Sequence, residues 1–427
     1  MSTYGRRVAL LGGARIPFAR SNTVYSYKSN QEMLTAALRG VVDKYQLQGE
    51  RLGEVAAGAV LKHSRDFNLT RECVLSSGLA AETPAYDIQQ ACGTGLEAAI
   101  LVGNKIAMGQ IESGIAGGVD TASDAPIAVG DKLRTLLLDL NRAKTNSQRL
   151  QILTRFRPSM LAPSAPTNGE PRTRKSMGEH CEMMAQEWKI SREDQDLLAV
   201  ESHLKAAKAY DEGFFDDLLV EFAGVKRDNN LRGDSKIEKL ATLKPVFDRK
   251  SGKGTLTAAN STPLTDGASA ALLSSEAWAD AHGFKPQAFL THSETAAIDF
   301  TVKKEGLLMA PVYAVPRMLE RAGLKLQDFD FYEIHEAFAA QVLCTLRAWE
   351  DAKYCKERLG LAKPLGSIDR SKLNVKGSSL ALGHPFAATG GRILATAGKL
   401  LEQRGGGRCL ISICAAGGMG VVAIVER

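Results

Sequence analysis

The chain has 427 residues, 44% of them apolar and 24% charged, with a formal net charge of +6. That balance fits a globular protein with room for two or three domains, and it excludes a mainly disordered chain and a strongly basic nucleic-acid binder. Seven scattered cysteines, none in CxxC spacing, exclude a disulfide framework and leave a structural zinc site unsupported. No apolar run reaches the ~20 residues of a membrane span. Gly5-Arg6-Arg7 leads straight into Val8-Ala9-Leu10-Leu11 without a signal or transit segment, so the expected location is a reducing, cytoplasmic interior.

Short apolar runs alternate with helical spacing, the pattern of an α/β protein. Residues 8–12 predict a strand, 31–45 a helix, 54–60 a strand and 71–77 a short helix. Residues 92–108 have helical spacing, and 113–118 follow as a strand. From about Thr121 to Phe247 the character changes. Charge and proline gather there (Pro158, Pro163, Pro166, Pro171), and 192–210 predict a long helix. Within this stretch, residues 131–157 hold seven basic side chains against two acidic ones. Leu133, Leu136, Leu137 and Leu140 follow i, i+3, i+4, i+7 spacing, which predicts an amphipathic helix. Strand chemistry returns at 254–259 and 268–273, and a last α/β block runs from about Gln287 to Arg427.

The last block echoes the first. Ser113-Gly-Ile-Ala-Gly-Gly-Val-Asp120 resembles Ser412-Ile-Cys-Ala-Ala-Gly-Gly-Met419, and each follows a helix that opens in small residues. Two copies of one unit packed together are expected, with the charged middle inserted between them.

Four side chains in this frame can carry chemistry. Cys92, in Gln90-Ala91-Cys92-Gly93-Thr94-Gly95, lies between a strand and a helix, where the helix dipole and free N–H groups favour a thiolate and an oxyanion. A small buried core cysteine is the plain alternative. His384, in Gly383-His384-Pro385, stands on a turn before a helix, placed to take a thiol proton. His335 follows the strand-like Phe329-Asp330-Phe331-Tyr332 and is read as a donor to a carbonyl oxygen, since no HExxH or cysteine spacing supports a metal. Cys414 precedes Ala415-Ala416-Gly417-Gly418 at a strand end and is an acid/base candidate. Cys73, Cys181, Cys344, Cys355 and Cys409 have no comparable surroundings.

These segments, with Arg15-Ile16-Pro17-Phe18, Leu243-Lys244-Pro245-Val246-Phe247, Asn260-Ser261-Thr262-Pro263-Leu264-Thr265-Asp266-Gly267 and His335-Glu336-Ala337-Phe338-Ala339, run in the order found in the thiolases, which the whole chain resembles. The resemblance implies a thiolase fold: two similar βαβαβαββ halves in five layers (α-β-α-β-α) with an inserted loop domain. Residues 1–120 plus 249–274 would form the first half, 121–248 the insertion and 275–427 the second half. It also implies roles. Cys92 resembles the acyl-accepting nucleophile, His384 its activator and Cys414 the acid/base. The N–H groups of Cys92 and Ala416 would form an oxyanion hole. His335 stands where many members carry asparagine, and His-Glu-Ala-Phe resembles the β subunits of trifunctional-enzyme type. Pantetheine contacts would fall on Thr262, Ala258, Met177, Phe247 and Phe338, while Ser176 replaces a frequent histidine.

The implied activity is 3-ketoacyl-CoA thiolysis in fatty-acid β-oxidation, with acyl-CoA and CoA as substrates and no metal or redox cofactor. A biosynthetic acetyl-CoA acetyltransferase and a non-catalytic lipid-binding or scaffold protein are the rivals. A ketoacyl synthase is disfavoured by Cys414 with Ala-Ala-Gly-Gly. A homo-dimer or tetramer is implied, with a hydratase–dehydrogenase α subunit as possible partner. For the basic segment 131–157, docking on that partner, an acidic membrane surface, CoA phosphates and a solvated helix face all remain open.

Overall fold

The computed structural model describes residues 5–167 and 169–427. Its strands in chain order are β1 (Val8–Arg15), β2 (Ala19–Arg20), β3 (Glu54–Ala57), β4 (Ala85–Asp87), β5 (Ser113–Asp120), β6 (Ala128–Val129), β7 (Pro163–Ser164), β8 (Thr265–Ser275), β9 (Ala288–Ala297), β10 (Phe331–Ile334), β11 (Arg408–Ala415) and β12 (Met419–Glu426). All but β6 and β7 belong to one sheet, in the order β10-β11-β12-β9-β1-β8-β5-β3-β4, with β2 on β8.

That order contains the same pattern twice. In the first half, β5 pairs parallel to β3 and antiparallel to β8, which lies beside β1. In the second, β11 pairs parallel to β10 and antiparallel to β12, which lies beside β9. The halves join where Val8–Leu10 pair with Ala288–Leu290. Beside β10, a single parallel bridge from Tyr332 to Leu373 stands where the first half has β4. β1, β5 and β8 are buried along their whole length, and so their sequences are continuous apolar or small runs rather than alternating ones.

Three cores separate the layers. Helix Asn30–Lys44, started by the Ser29/Glu32 capping box, buries Leu34, Leu38 and Val41 against the outer face of the first half. Helix Ala310–Ala322 does the same for the second half through Val312, Val315 and Leu319. Between the halves lie helices Thr94–Ala107 and Thr389–Arg404, whose Leu96, Ile100, Ile393 and Leu394 share one core. Their contact is backbone-close: a Cβ on Gly390 would come within 2.2 Å of Leu96 N, and one on Gly95 within 2.9 Å of Gly391 N. The starts of both helices are thereby drawn together.

Four sequence expectations change in the folded chain. Residues 254–259 form no strand, because the N–H groups of Thr255 and Leu256 donate to Glu182 and that of Thr257 to Asn260, which removes them from any ladder. The strand expected at 54–60 ends at Ala57, and the Val60 and Leu61 N–H groups turn to Asp120. The two Ala-Gly-Gly sequences are not equivalents: the first lies inside β5, the second in the β11–β12 turn, with Gly417 and Gly418 at φ 78 and 71. The leucine-patterned helix forms as Asp131–Arg142, but only Leu136 of its four spaced leucines is buried. Leu137, Leu150, Leu153 and Leu161 are exposed.

Candidate active site

Cys92 sits on a strained elbow. Ala91 before it holds φ 47, a left-handed conformation uncommon for a residue with a side chain and costly enough to need support. Thr94 supplies it, its hydroxyl donating to Ala91 O at 2.7 Å and accepting from Gln90 N at 2.8 Å. The helix begins at Thr94 rather than at Cys92, so the sulfur stands just outside its N-terminus.

His384 reaches the same point from the other half. Its backbone N–H donates to Thr265 Oγ1 at 2.7 Å, Nδ1 lies 2.6 Å from Thr389 Oγ1, and Nε2 lies 3.1 Å from Cys92 Sγ. Gly383, at φ 101, makes the turn that permits this aim. His335 directly follows β10, with its ring centroid 4.1 Å from that of His384 and its Nδ1 2.8 Å from Ser379 Oγ. Cys414, near the end of β11, is buried, and that burial pushes its thiol up, with any negative charge on nearby Cys92 adding to the shift. The structure therefore gathers all four chemical candidates into one locus.

Burial dominates the electrostatics. It pushes the Cys92 thiol up to about 12, more than the N–H groups of Ala416 and Cys92 draw it down, although the residue as a whole is only partly buried. Burial therefore works against the thiolate expected from the helix N-terminus. Burial also lowers His384 to about 3 and His335 well below the usual range. The positive charge of buried Arg392 adds to both shifts, and its Nη2 donates to Ser379 Oγ at 2.8 Å. Both directions favour a neutral thiol beside a neutral imidazole.

The expected pantetheine residues divide. Phe247 and Phe338 meet edge to face at 5.9 Å, and Met177 packs into the same apolar group. Thr262 donates its hydroxyl to Ala337 O at 3.0 Å, so only its lone pairs face a ligand. Ala258 is exposed. Ser176 caps helix Met177–Glu187 in a box with Glu179, a structural task that accounts for a hydroxyl at this position.

Three contributors escaped the sequence reading. Ser379 and Thr389 orient the imidazoles, and Thr389 was visible only as one small residue in a helix opening. Glu170, in the segment between β5 and β8, accepts from Gly417 N at 2.7 Å and braces the turn that carries Ala416. No motif marks it.

Comparisons with known proteins agree with this geometry. Residues 8–277 match the model of the thiolase N-terminal domain and residues 284–427 that of the thiolase C-terminal domain. The chain is 41% identical to a 3-ketoacyl-CoA thiolase of Shewanella sp. (strain W3-18-1), over 99% of this chain and 97% of that one. It is 42% identical to that of Shewanella baltica (strain OS155 / ATCC BAA-1091), with the same coverage. Human mitochondrial 3-ketoacyl-CoA thiolase in complex with CoA superposes with a TM-score of 0.81 at 28% identity, covering 99% of this chain and 98% of that one. The Bacillus anthracis acetyl-CoA acetyltransferase gives 0.81 and 28%, with full coverage of both. With matched domains spanning almost its whole length and a thiol and two imidazoles converging between its halves, the chain belongs to the thiolase family of acyltransferases.

Proposed function

We propose that the chain is a 3-ketoacyl-CoA thiolase acting in fatty-acid β-oxidation by a ping-pong route through an acyl-Cys92. The observation that carries this reading is the 3.1 Å contact between Cys92 Sγ and His384 Nε2.

Because both partners rest neutral, the proton passes to His384 as sulfur attacks the C3 carbonyl, not beforehand. The N–H groups of Cys92 and Ala416, which already act on the sulfur, hold the oxyanion that forms on that carbon. Its collapse breaks the C2–C3 bond. The electron pair leaves as the enolate of acetyl-CoA, whose oxygen meets the imidazoles of His384 and His335. Cys414 protonates C2. Free CoA then gives its thiol proton to the Cys414 thiolate and attacks the acyl group, and Cys92 leaves and recovers its proton from His384. CoA is a substrate throughout, and no step calls for a metal or redox cofactor. Met177, Phe247 and Phe338 would line the pantetheine path, with Thr262 as an acceptor beside it.

The division into halves 1–120 plus 249–274 and 275–427, with insertion 121–248, belongs to this proposal. So does a homo-oligomer, supported by the free edge of β4 and the exposed Phe67 near it. The exposed leucines among the arginines of 131–157 support docking of a hydratase–dehydrogenase partner there. Among the described residues no helix is long and apolar enough to cross a membrane.

Thiolysis measured across 3-ketoacyl-CoA chain lengths tests the reading. Activity on medium and long chains is expected, with a loss of roughly 10⁴–10⁶ in Cys92→Ser and an acyl adduct on Cys92 by mass spectrometry. Activity on acetoacetyl-CoA alone would favour the biosynthetic acetyltransferase, and turnover without an adduct would remove Cys92 from the nucleophile's role.

A further inference from the structure

The spacing of histidines and cysteines along the chain offers no metal motif, yet folding assembles one. Cys92 Sγ and one ring nitrogen each of His335 and His384 all lie within 4.8 Å of one another. His335 Nδ1 is engaged by Ser379, while its Nε2 is buried without a hydrogen-bond partner among the described residues. We propose that these three side chains form a Zn²⁺ site of Cys-His-His type, with a fourth position open, whose occupation reversibly blocks the enzyme.

The donor set suits this ion. Zinc takes thiolate sulfur at about 2.3 Å and imidazole nitrogen at about 2.0–2.1 Å. A tetrahedron of that size sets its donor atoms roughly 3.3–3.6 Å apart. The 3.1 Å contact between sulfur and His384 Nε2 is already near that spacing, and the third donor, within 4.8 Å of both, needs to close by no more than about 1.5 Å. Two nitrogens and a sulfur discriminate against Mg²⁺ and Ca²⁺, which prefer oxygen.

Each imidazole turns Nδ1 to a hydroxyl, Ser379 at 2.8 Å and Thr389 at 2.6 Å. A hydroxyl accepts as readily as it donates, so either ring can carry its hydrogen on Nδ1 and offer a bare Nε2 to the ion. Cys92, unlike the other six cysteines, is only partly buried, which gives the ion its path of entry. On binding, the S–H bond breaks, the Zn–S bond forms and the proton leaves to water. The histidines stay neutral, no electrons change hands, and water fills the fourth position. An acyl group on the same sulfur excludes the ion, so acylation and zinc compete.

The inference concerns binding and is separable from the catalytic reading. Chelator-treated full-length protein is titrated with Zn²⁺ against a chromophoric chelator, and Co²⁺ is used in its place for spectroscopy. One equivalent is expected, with a thiolate-to-cobalt charge-transfer band. Zn²⁺ should also protect Cys92 from iodoacetamide until EDTA is added, a clean readout because the other six cysteines are buried. His335→Asn should weaken binding beyond the roughly 10–100-fold that loss of an outer-shell partner costs, and Cys92→Ser should abolish the band. Failure of zinc to protect Cys92, a band that persists in Cys92→Ser, or unchanged affinity in His335→Asn would each overturn the proposal. Should His335→Asn fail to fold, the protection assay and the wild-type cobalt spectrum still decide it.

Discussion

The carboxylate of Glu170 accepts a hydrogen bond from the N–H of Gly417 at 2.7 Å. It thereby ties the segment between β5 and β8 to the turn whose preceding residue, Ala416, offers its N–H to Cys92. Glu170 is buried, and Gly417 and Gly418 both have left-handed φ, so this acceptor adds to the β11–β12 pairing and the Ile298 N–H bond to Gly418 O in fixing the turn.

Glu170→Ala should therefore lower kcat on the order of tenfold, short of the ~10²–10³ lost when an oxyanion donor is removed outright. KM for the acyl-CoA should stay within about twofold, since the change acts mainly on the transition state. Glu170→Gln keeps an acceptor oxygen and should recover most of the rate. Equal losses in both variants would show that the negative charge, rather than the bond, is what counts.

The resting state of Cys92 can be read from its alkylation. With the thiol raised to about 12 and His384 lowered to about 3, the neutral pair prevails between these values. The thiolate fraction then grows as pH rises, about tenfold per unit well below the thiol's own value. Inactivation by iodoacetamide should climb with that slope from neutral into alkaline pH. A plateau starting near pH 6 would instead reveal a preformed thiolate–imidazolium pair.

In the proposed route Cys414 protonates carbon and later takes the CoA thiol proton, but never carries the acyl group itself. Cys414→Ala should sharply slow deuterium exchange at the acetyl-CoA methyl, while Cys92 still alkylates at close to the wild-type rate. Exchange at an unchanged rate would move the acid/base role to another group.

Stability offers a test away from the chemistry. Arg15, in β1, makes a bidentate pair with Asp228 at 2.6 and 2.7 Å, and both side chains are buried. Asp228 also accepts from the Tyr210 hydroxyl and the Phe18 N–H. Asp228→Asn leaves the guanidinium buried without its counter-charge and should cost about 3–5 kcal/mol, measured as a lower denaturant midpoint at unchanged slope. The paired change Arg15→Met with Asp228→Leu should recover part of that loss.

The amino-acid sequence alone determined the alternation of strands and helices and the local settings of Cys92, His384, His335 and Cys414. Each of these depends on neighbours within a few residues: a run of apolar side chains, a glycine that turns the chain, a strand that meets a helix. The family motifs added their common order. Tertiary structure decided what those settings amount to. Cys92 and His384 are 292 residues apart, and they meet because glycine-to-backbone contacts let two central helices approach closely. The raised thiol follows from desolvation, which no local spacing expresses, and outweighs the helix N-terminus that sequence reasoning favoured. Residues 254–259 have strand-like chemistry, but a distant carboxylate, Glu182, claims their N–H groups. Glu170 carried no signal because its partner is a backbone amide, and a backbone amide has no identity in a sequence. Local chemistry is written along the chain, whereas burial and long-range hydrogen bonds exist only once distant segments share the same space.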